Sequence, residues 1–413
     1  MHVDTLRILD RFIGVPLCLA LTLIRWVAQA LSASAPLPSP RKILIIKLSE
    51  MGSTVLAYPA FSEIKSHCPD AELFFLVFKN NAAIVEVLDF MPPGNIIIVD
   101  YRTIGGLVKS GIQAMKRLLR ERIDTTIDMD FFSRLTALIA FIVCRGNRVG
   151  FHRYNDEGLY RGNLLTHRVL YSPHIHTSAA FMALVKTLFE NREDEPHYRG
   201  RIETNDLSLP SYSPSPGDVK SVQEKLADAG IKSTDETIVL INPNSSDIFP
   251  LRKWPLVNFA QLCQRLVSEV PHCRLVITGV ASEQPDARYI IDRVGRDRCV
   301  DFTGRTSFRE LLALYSLAQF MVTNDSGPAH FASLLALPTL VLFGPETPRL
   351  YSPLGDRHKV MFANFACSPC VSVYNGKKSP CRENRCLKSI GVDQVMNEIL
   401  DWLPNQRSGE HAI

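Results

Sequence analysis

Three stretches of this 413-residue chain place hydroxyls, carboxylates and cations beside the small residues that let backbone amides approach a ligand. The first is Phe320–His330 (FMVTNDSGPAH), where an apolar run ends in Asn324-Asp325-Ser326-Gly327. Asn, Asp and Ser are capping residues, Pro328 suits the opening of a helix, and Gly327 permits close backbone approach. The pattern predicts a strand running into a bare helix N-terminus, whose free amides and dipole attract phosphate. An ordinary strand-to-helix turn would carry the same residues. Asp325, Ser326 and His330 do not form a serine-hydrolase signature, because no G-x-S-x-G elbow is present.

The second stretch is Ile241–Pro255 (INPNSSDIFPLRKWP), which offers the Ser245 and Ser246 hydroxyls and the Arg252-Lys253 pair. Cations at the mouth of a strand can neutralise a departing diphosphate; a solvated basic loop is the competing reading. The third is Ile43–Pro59 (ILIIKLSEMGSTVLAYP), again an apolar run, a Gly-containing turn and a helical pattern. It satisfies neither the P-loop nor the dinucleotide glycine pattern.

Each stretch needs a strand behind it, and the chain supplies strands in two series. Apolar runs at Ile43–Leu48, Leu73–Phe78, Ile96–Val99, Ile123–Met129 and Val149–Phe151 alternate with helical patterns such as Thr54–His67 and Ile104–Glu121. A second series follows at Thr237–Ile241, Arg274–Thr278, Cys299–Phe302, Phe320–Thr323 and Thr339–Phe343. Strands alternating with helices predict parallel sheets built from βαβ units. Ligands of such sheets bind outside the carboxyl ends of the strands. The Pro/Ser stretch Leu207–Asp218 reads as a linker, which divides residues 41–206 from residues 219–390, with a C-terminal helix and tail over 391–413. The expectation is an α/β chain of two Rossmann-like domains facing across a cleft.

Bulk composition is that of an ordinary globular protein, with 46% hydrophobic and 21% charged residues. A net charge of +4, with no Lys/Arg run, argues against a nucleic-acid partner and is compatible with an anionic one. Ten cysteines in so long a chain do not make a disulfide scaffold. Cys18, Cys68, Cys144, Cys263, Cys273 and Cys299 read as single, buried, reduced thiols.

Taken together the motifs resemble glycosyltransferase family 9, the ADP-heptose:lipopolysaccharide heptosyltransferases. The first turn of that family, K-x-S-x-M-G-D with a following proline, is matched by Lys47-Leu48-Ser49-Glu50-Met51-Gly52-Ser53 and Pro59. Its K-x-W-P motif is matched by Arg252-Lys253-Trp254-Pro255, and its G-K-T-S-L-like segment by Gly304-Arg305-Thr306-Ser307-Phe308. N-D-S-G-x-x-H is matched in full by Asn324 to His330, and L-F-G-P-T-x-P by Leu342 to Pro348. The resemblance covers roughly Ile43 to Leu403 and leaves residues 1–40 outside.

The resemblance implies an inverting transferase of GT-B type, with the nucleotide sugar on the C-terminal half and the acceptor on the N-terminal half. By position, Arg252 would hold the phosphates where the family usually has lysine, with Lys253 beside it. Asp325 would contact the donor sugar, Ser326, Gly327 and His330 would line the diphosphate site, and Ser245 and Ser246 fall near phosphate-binding hydroxyls. The implied donor is ADP-heptose and the implied acceptor a lipopolysaccharide or other lipid-linked glycan. No metal or other cofactor is expected. One departure matters. The family's acidic residue in the first turn, its general base, is Ser53 here. A serine cannot take the acceptor proton unaided, so Glu50, three residues earlier, is the expected substitute; a solvated loop carboxylate is the other reading.

Two clusters remain. Cys367, Cys370, Cys381 and Cys386 have the spacing C-x2-C-x10-C-x4-C, which could bind structural zinc, close disulfides or serve another local role. Phe151–His176 carries His152, Arg153, Arg161, His167, Arg168, His174 and His176, a stretch suited to an anionic glycolipid but read by default as a solvated loop.

The first 40 residues form an apolar segment and linker. Ile13–Ile24 is nearly all apolar, Arg25 interrupts it, and Ser32–Pro40 is rich in small residues and proline. A spanning helix needs about 20 apolar residues, so a span is marginal; Ala33-Ser34-Ala35 resembles a signal-peptidase site, but Asp4 and Asp10 dilute the positive flank. The favoured reading is a helix on the inner face of the cytoplasmic membrane, with Arg25 and Trp26 at the interface, on an otherwise cytoplasmic protein. Two other functions stay open: a sugar-nucleotide epimerase of similar architecture, and a catalytically inactive sugar-nucleotide-binding protein.

Overall fold

Near-continuous apolar runs such as KILII and TLVLF can be buried on both faces only inside a parallel sheet covered by helices. The computed structural model realises this twice. It describes residue 8 and residues 10–31, 37–154, 159–190, 198–203, 207–231, 236–245 and 249–407. The chain divides into two compact units, residues 1–208 and 209–413.

Unit 1 holds strands β1 (Lys42–Ile46), β2 (Glu72–Phe78), β3 (Ile96–Val99), β4 (Thr125–Asp128), β5 (Asn147–His152) and β6 (His167–Leu170). All pair in parallel, in the order β3-β2-β1-β4-β5-β6. Unit 2 holds β7 (Thr237–Asn242), β8 (Cys273–Ile277), β9 (Cys299–Asp301), β10 (Phe320–Asn324), β11 (Thr339–Phe343) and β12 (His358–Phe362). Their order is β12-β11-β10-β7-β8-β9, again all parallel. Both sheets therefore have the Rossmann order, and each reverses direction of winding once, between β1 and β4 and between β7 and β10. At these two switch points the loops leaving the strand ends diverge and open a ligand crevice.

The unit 2 core packs β7, β8, β10 and β11 against the helices Leu256–Glu269, Gln284–Val294 and Val392–Arg407. Trp254 is fully buried there, edge-on to Phe259 at 4.9 Å, and donates its indole N–H to the Ile390 carbonyl at 2.9 Å. In unit 1 the helix Ile104–Glu121 presents Ala114 and Leu118 to the sheet, and Thr103 caps it by accepting from Gly106 N.

Several expectations change. The helical pattern Thr54–His67 is two helices, Met51–Leu56 and Tyr58–His67, parted where Pro59 has no N–H to give. The stretch 151–176 is no solvated loop: it contains β6, and Arg161 and His167 are buried. Among the six single cysteines, Cys68 is only half-buried. The N-terminal apolar segment forms a helix, Gly14–Leu31, packed along one side against the helix Arg134–Val143.

Candidate active site

The unit 2 switch point assembles one charged cluster from three strand ends. The loop after β7 is pinned first: Asn324, at the end of β10, accepts from Trp254 N at 2.9 Å and donates to the Pro243 carbonyl at 2.8 Å. Asn384 holds the same loop by donating to the Leu251 and Lys253 carbonyls. These clamps place Arg252, whose guanidinium lies 4.7 Å from the centre of the Phe249 ring. Its Nη2 donates to Glu346 Oε2 at 2.8 Å, and its Nε stands 3.4 Å from Asp325 Oδ2. Glu346 follows β11 and is wholly buried, and Asp325 follows β10 and is 3% exposed.

Ser326 caps the helix Gly327–Ser333 by position, but its hydroxyl turns back to the Asn324 carbonyl at 3.2 Å and makes no capping bond. Pro328 is the second helical residue, and His330 is buried within the helix. The amide of Asp325 is not free, since it donates to the Leu342 carbonyl. Ser245 is buried and donates to the Phe249 carbonyl at 3.2 Å, while Lys253 is half-buried on the same loop. Ser246 lies outside the described residues. Next to Ser245, Asn244 is 2% exposed, and neither its carboxamide nitrogen nor its oxygen has a hydrogen-bond partner among the described residues. Such a group loses about 1–3 kcal/mol while unsatisfied.

The unit 1 switch point carries a second network. Lys47, at the end of β1, is buried; its ammonium donates to the Ser49 carbonyl at 2.6 Å and pairs with Asp130 Oδ1 at 3.4 Å. Asp130 Oδ2 also accepts from Leu48 N at 3.0 Å. Asp128, at the end of β4, accepts from Thr136 at 2.7 Å and from Asp130 N at 3.1 Å, and is ion-paired with Arg161. Burial, opposed by Arg161 and helped by Asp130, pushes the Asp128 carboxyl up to about 6.

Glu50 sits in the turn that this network fixes. It precedes the helix Met51–Leu56 with φ 68° and ψ 84°, a left-handed conformation that costs a non-glycine residue about 1–3 kcal/mol. Ser53 is 5% exposed and donates to the Glu50 carbonyl at 3.1 Å and to its Oε2 at 3.4 Å. The two residues singled out for base chemistry thus touch. Glu346, Asn244, Asp128 and Asp130 were not expected as site residues. For Asp128 and Asp130 the one signal was two carboxylates closing an apolar run.

The four clustered cysteines are not gathered as a metal site. Among the described residues no group of three or more His, Cys, Asp or Glu side chains is placed to hold a metal ion. Cys367 and Cys381 are exposed, Cys370 half-buried and Cys386 buried.

Comparison with known proteins agrees with this architecture. Lipooligosaccharide heptosyltransferase 2 of Campylobacter jejuni is 23% identical over 368 residues, covering 88% of this chain and 99% of the relative. The solved ADP-heptose lipopolysaccharide heptosyltransferase II of E. coli superposes with a TM-score of 0.67 at 18% identity, covering 89% and 99% of the two chains. The E. coli heptosyltransferase WaaC with ADP gives 0.61 at 16% identity, covering 87% and 99%. The family model of glycosyltransferase family 9 (heptosyltransferase) matches residues 112–379. With more than half of the chain matched, two Rossmann-ordered units and the motif loops at their switch points, the chain is a glycosyltransferase and belongs to glycosyltransferase family 9.

Proposed function

We propose that the chain transfers heptose from ADP-heptose to a lipopolysaccharide core acceptor, with inversion at the anomeric carbon. The observation that carries this is the Arg252–Asp325–Glu346 cluster at the unit 2 switch point. Glu346 fixes the guanidinium from one side. The 3.4 Å to Asp325 is longer than the 2.7–2.9 Å of a charge-assisted bond. In this reading Asp325 faces the sugar hydroxyls while Arg252 takes the diphosphate. Lys253, Ser245, Ser246, Ser326, Gly327 and His330 complete the donor site in this reading. Relatives named as heptosyltransferases, one solved with ADP, support the choice of donor.

The acceptor hydroxyl attacks the anomeric carbon and yields its proton to Glu50. The bond from that carbon to the diphosphate oxygen breaks, and ADP leaves with its charge held by Arg252. Removal of charge-assisted contacts to the diphosphate would forfeit about 1.5–3 kcal/mol each. Residues 41–206 form the acceptor-side domain and 219–390 the donor-side domain. The enzyme works on the cytoplasmic side, at the inner face of the membrane.

Purified protein, ADP-heptose and heptose-deficient core oligosaccharide should yield ADP and a product one heptose heavier by mass spectrometry. Donor epimerised without transfer, or donor bound and returned unchanged, would each sink the proposal in favour of the epimerase or the inactive binding protein.

A further inference from the structure

Large apolar side chains exposed in unit 1 concentrate on three neighbouring helices. The helix Gly14–Leu31 packs on Arg134–Val143, which also meets Ile104–Glu121. Leu23, Trp26 and Val27 of the first are exposed, as are Ile142 of the second and Ile104, Val108 and Ile112 of the third. The last three recur every fourth residue and so form one stripe. Exposed apolar side chains gathered on adjoining helices mark a contact surface more often than a face left to water.

The helical segment Asp10–Leu31 has 22 residues, about 33 Å at the helical rise, and is long and apolar enough to cross a bilayer. Its tethers do not allow this. Asp10 accepts from the Arg134 and Leu135 amides and pairs with the Arg134 guanidinium at 3.2 Å. Thr22 accepts from Asn163 N at 2.9 Å, and Arg25 donates to the Asn163 and Leu165 carbonyls. Gly162, at φ 66°, approaches so closely that a Cβ there would meet the Cys18 carbonyl oxygen at 2.7 Å. A spanning orientation would break all of these, uncover Ala137, Leu138 and Leu164, and put Arg25 into hydrocarbon.

Positive charge borders the face. Lys109, Lys116 and Arg120 are exposed on Ile104–Glu121. Between the N-terminal helix and the segment after β5 lies a pocket of about 240 Å³, lined by Trp26, His152, Arg153, Tyr160 and Arg168. Nearby, Arg25 and Arg148 donate to carbonyls, which leave their charge uncompensated. Arg25 is pushed down to about 10 by burial and then by Arg148 and Arg168.

We propose that this three-helix face docks on an anionic bilayer, with the helix Gly14–Leu31 lying in the interface and Lys109, Lys116 and Arg120 facing the lipid phosphates. The inference rests on the membrane placement proposed above and specifies it. A second copy of the chain is the weaker occupant, because a two-fold contact would set basic borders against each other.

The test is sedimentation of the full chain with phosphatidylcholine vesicles, with and without phosphatidylglycerol. Binding should be strong only to the anionic vesicles, and alkaline carbonate should release it. Replacing Lys109 and Lys116 together by Ser should weaken anionic binding about 25-fold, at about fivefold per charge. Leu23→Glu with Val27→Glu should abolish it. Equal binding to both vesicle types, resistance to carbonate, or concentration-dependent dimerisation in place of vesicle binding would each overturn the proposal. Heptose transfer to a soluble acceptor is a separate readout. Transfer without vesicle binding condemns the docking face alone, and vesicle binding without transfer condemns the functional reading alone.

Discussion

Arg252 donates from Nη2 to Glu346 Oε2 at 2.8 Å, and the receiving carboxylate is wholly buried. The pair links the loop after β7 to the loop after β11, so it sets where the cation stands before any donor arrives. Removing one member of a buried pair leaves an uncompensated charge and typically destabilises by about 3–5 kcal/mol. Arg252 keeps part of its exposure, so Glu346→Ala should fall near the low end, about 3 kcal/mol. It should also weaken ADP binding, while Glu346→Gln retains an acceptor and loses less. Thermal unfolding and calorimetry with ADP decide this. Unchanged ADP affinity in Glu346→Ala would mean that the carboxylate does not position the cation for the donor.

Asn244 makes the opposite demand. Its carboxamide is buried without a partner among the described residues, a state that a donor group could relieve. Asn244→Ala should therefore raise the melting temperature of the empty protein slightly and lower donor affinity. A variant that melts lower and binds ADP normally would assign Asn244 to packing.

Asp128 gives a pH signature. Its folded pKa, raised to about 6 chiefly by burial, lies above its unfolded value near 4. The folded state then binds more protons than the unfolded state in that window, so this residue's contribution is fullest below pH 4 and is lost as pH rises through 6. Asp128→Asn should remove that falling slope between pH 4 and 6.5, while destabilising the protein near pH 7 by stranding Arg161. Denaturant unfolding of both proteins across the window measures it. An identical slope in the variant would place the titration elsewhere.

The parts that could be read from sequence were those in which a residue's role is local. β11 was legible as Thr339–Phe343 because TLVLF is buried on both faces and therefore continuously apolar. The edge strands β6 (HRVL) and β12 (HKVMF) were missed, because an edge tolerates polar residues and half-exposure, and HRVL then resembles a loop. The loops around Ser326 and Arg252 announced themselves through capping residues and paired cations. Glu346 did not. Its meaning comes from β11 lying beside β10, and a pairing of strands is not written in the residues that carry it. The same holds for Asp130, which reaches Lys47 because β4 adjoins β1.

The remaining prediction concerns the base. Glu50 is held in a left-handed turn by the helix it precedes, by hydrogen bonds from Ser53 and Thr54 to its carbonyl, and by the Lys47–Asp130 network one step earlier. That conformation is strained for glutamate, and strain of this kind persists where the surroundings impose it. Loss of a general base typically costs about 10²–10⁴-fold in rate, so Glu50→Gln should depress turnover on that scale while ADP binding persists. Ser53→Ala removes the 3.1 Å bond to the Glu50 carbonyl and the 3.4 Å contact to Oε2, but leaves the carboxylate and the bond from Thr54, so it should be mild. Ser53→Asp in the Glu50→Gln background should return part of the activity, because it restores a carboxylate to the same turn. Single-turnover rates with saturating donor separate these effects from binding. Near-normal transfer by Glu50→Gln would move the base elsewhere, and Asp130, already at the mouth of the same crevice, would be the next residue to replace.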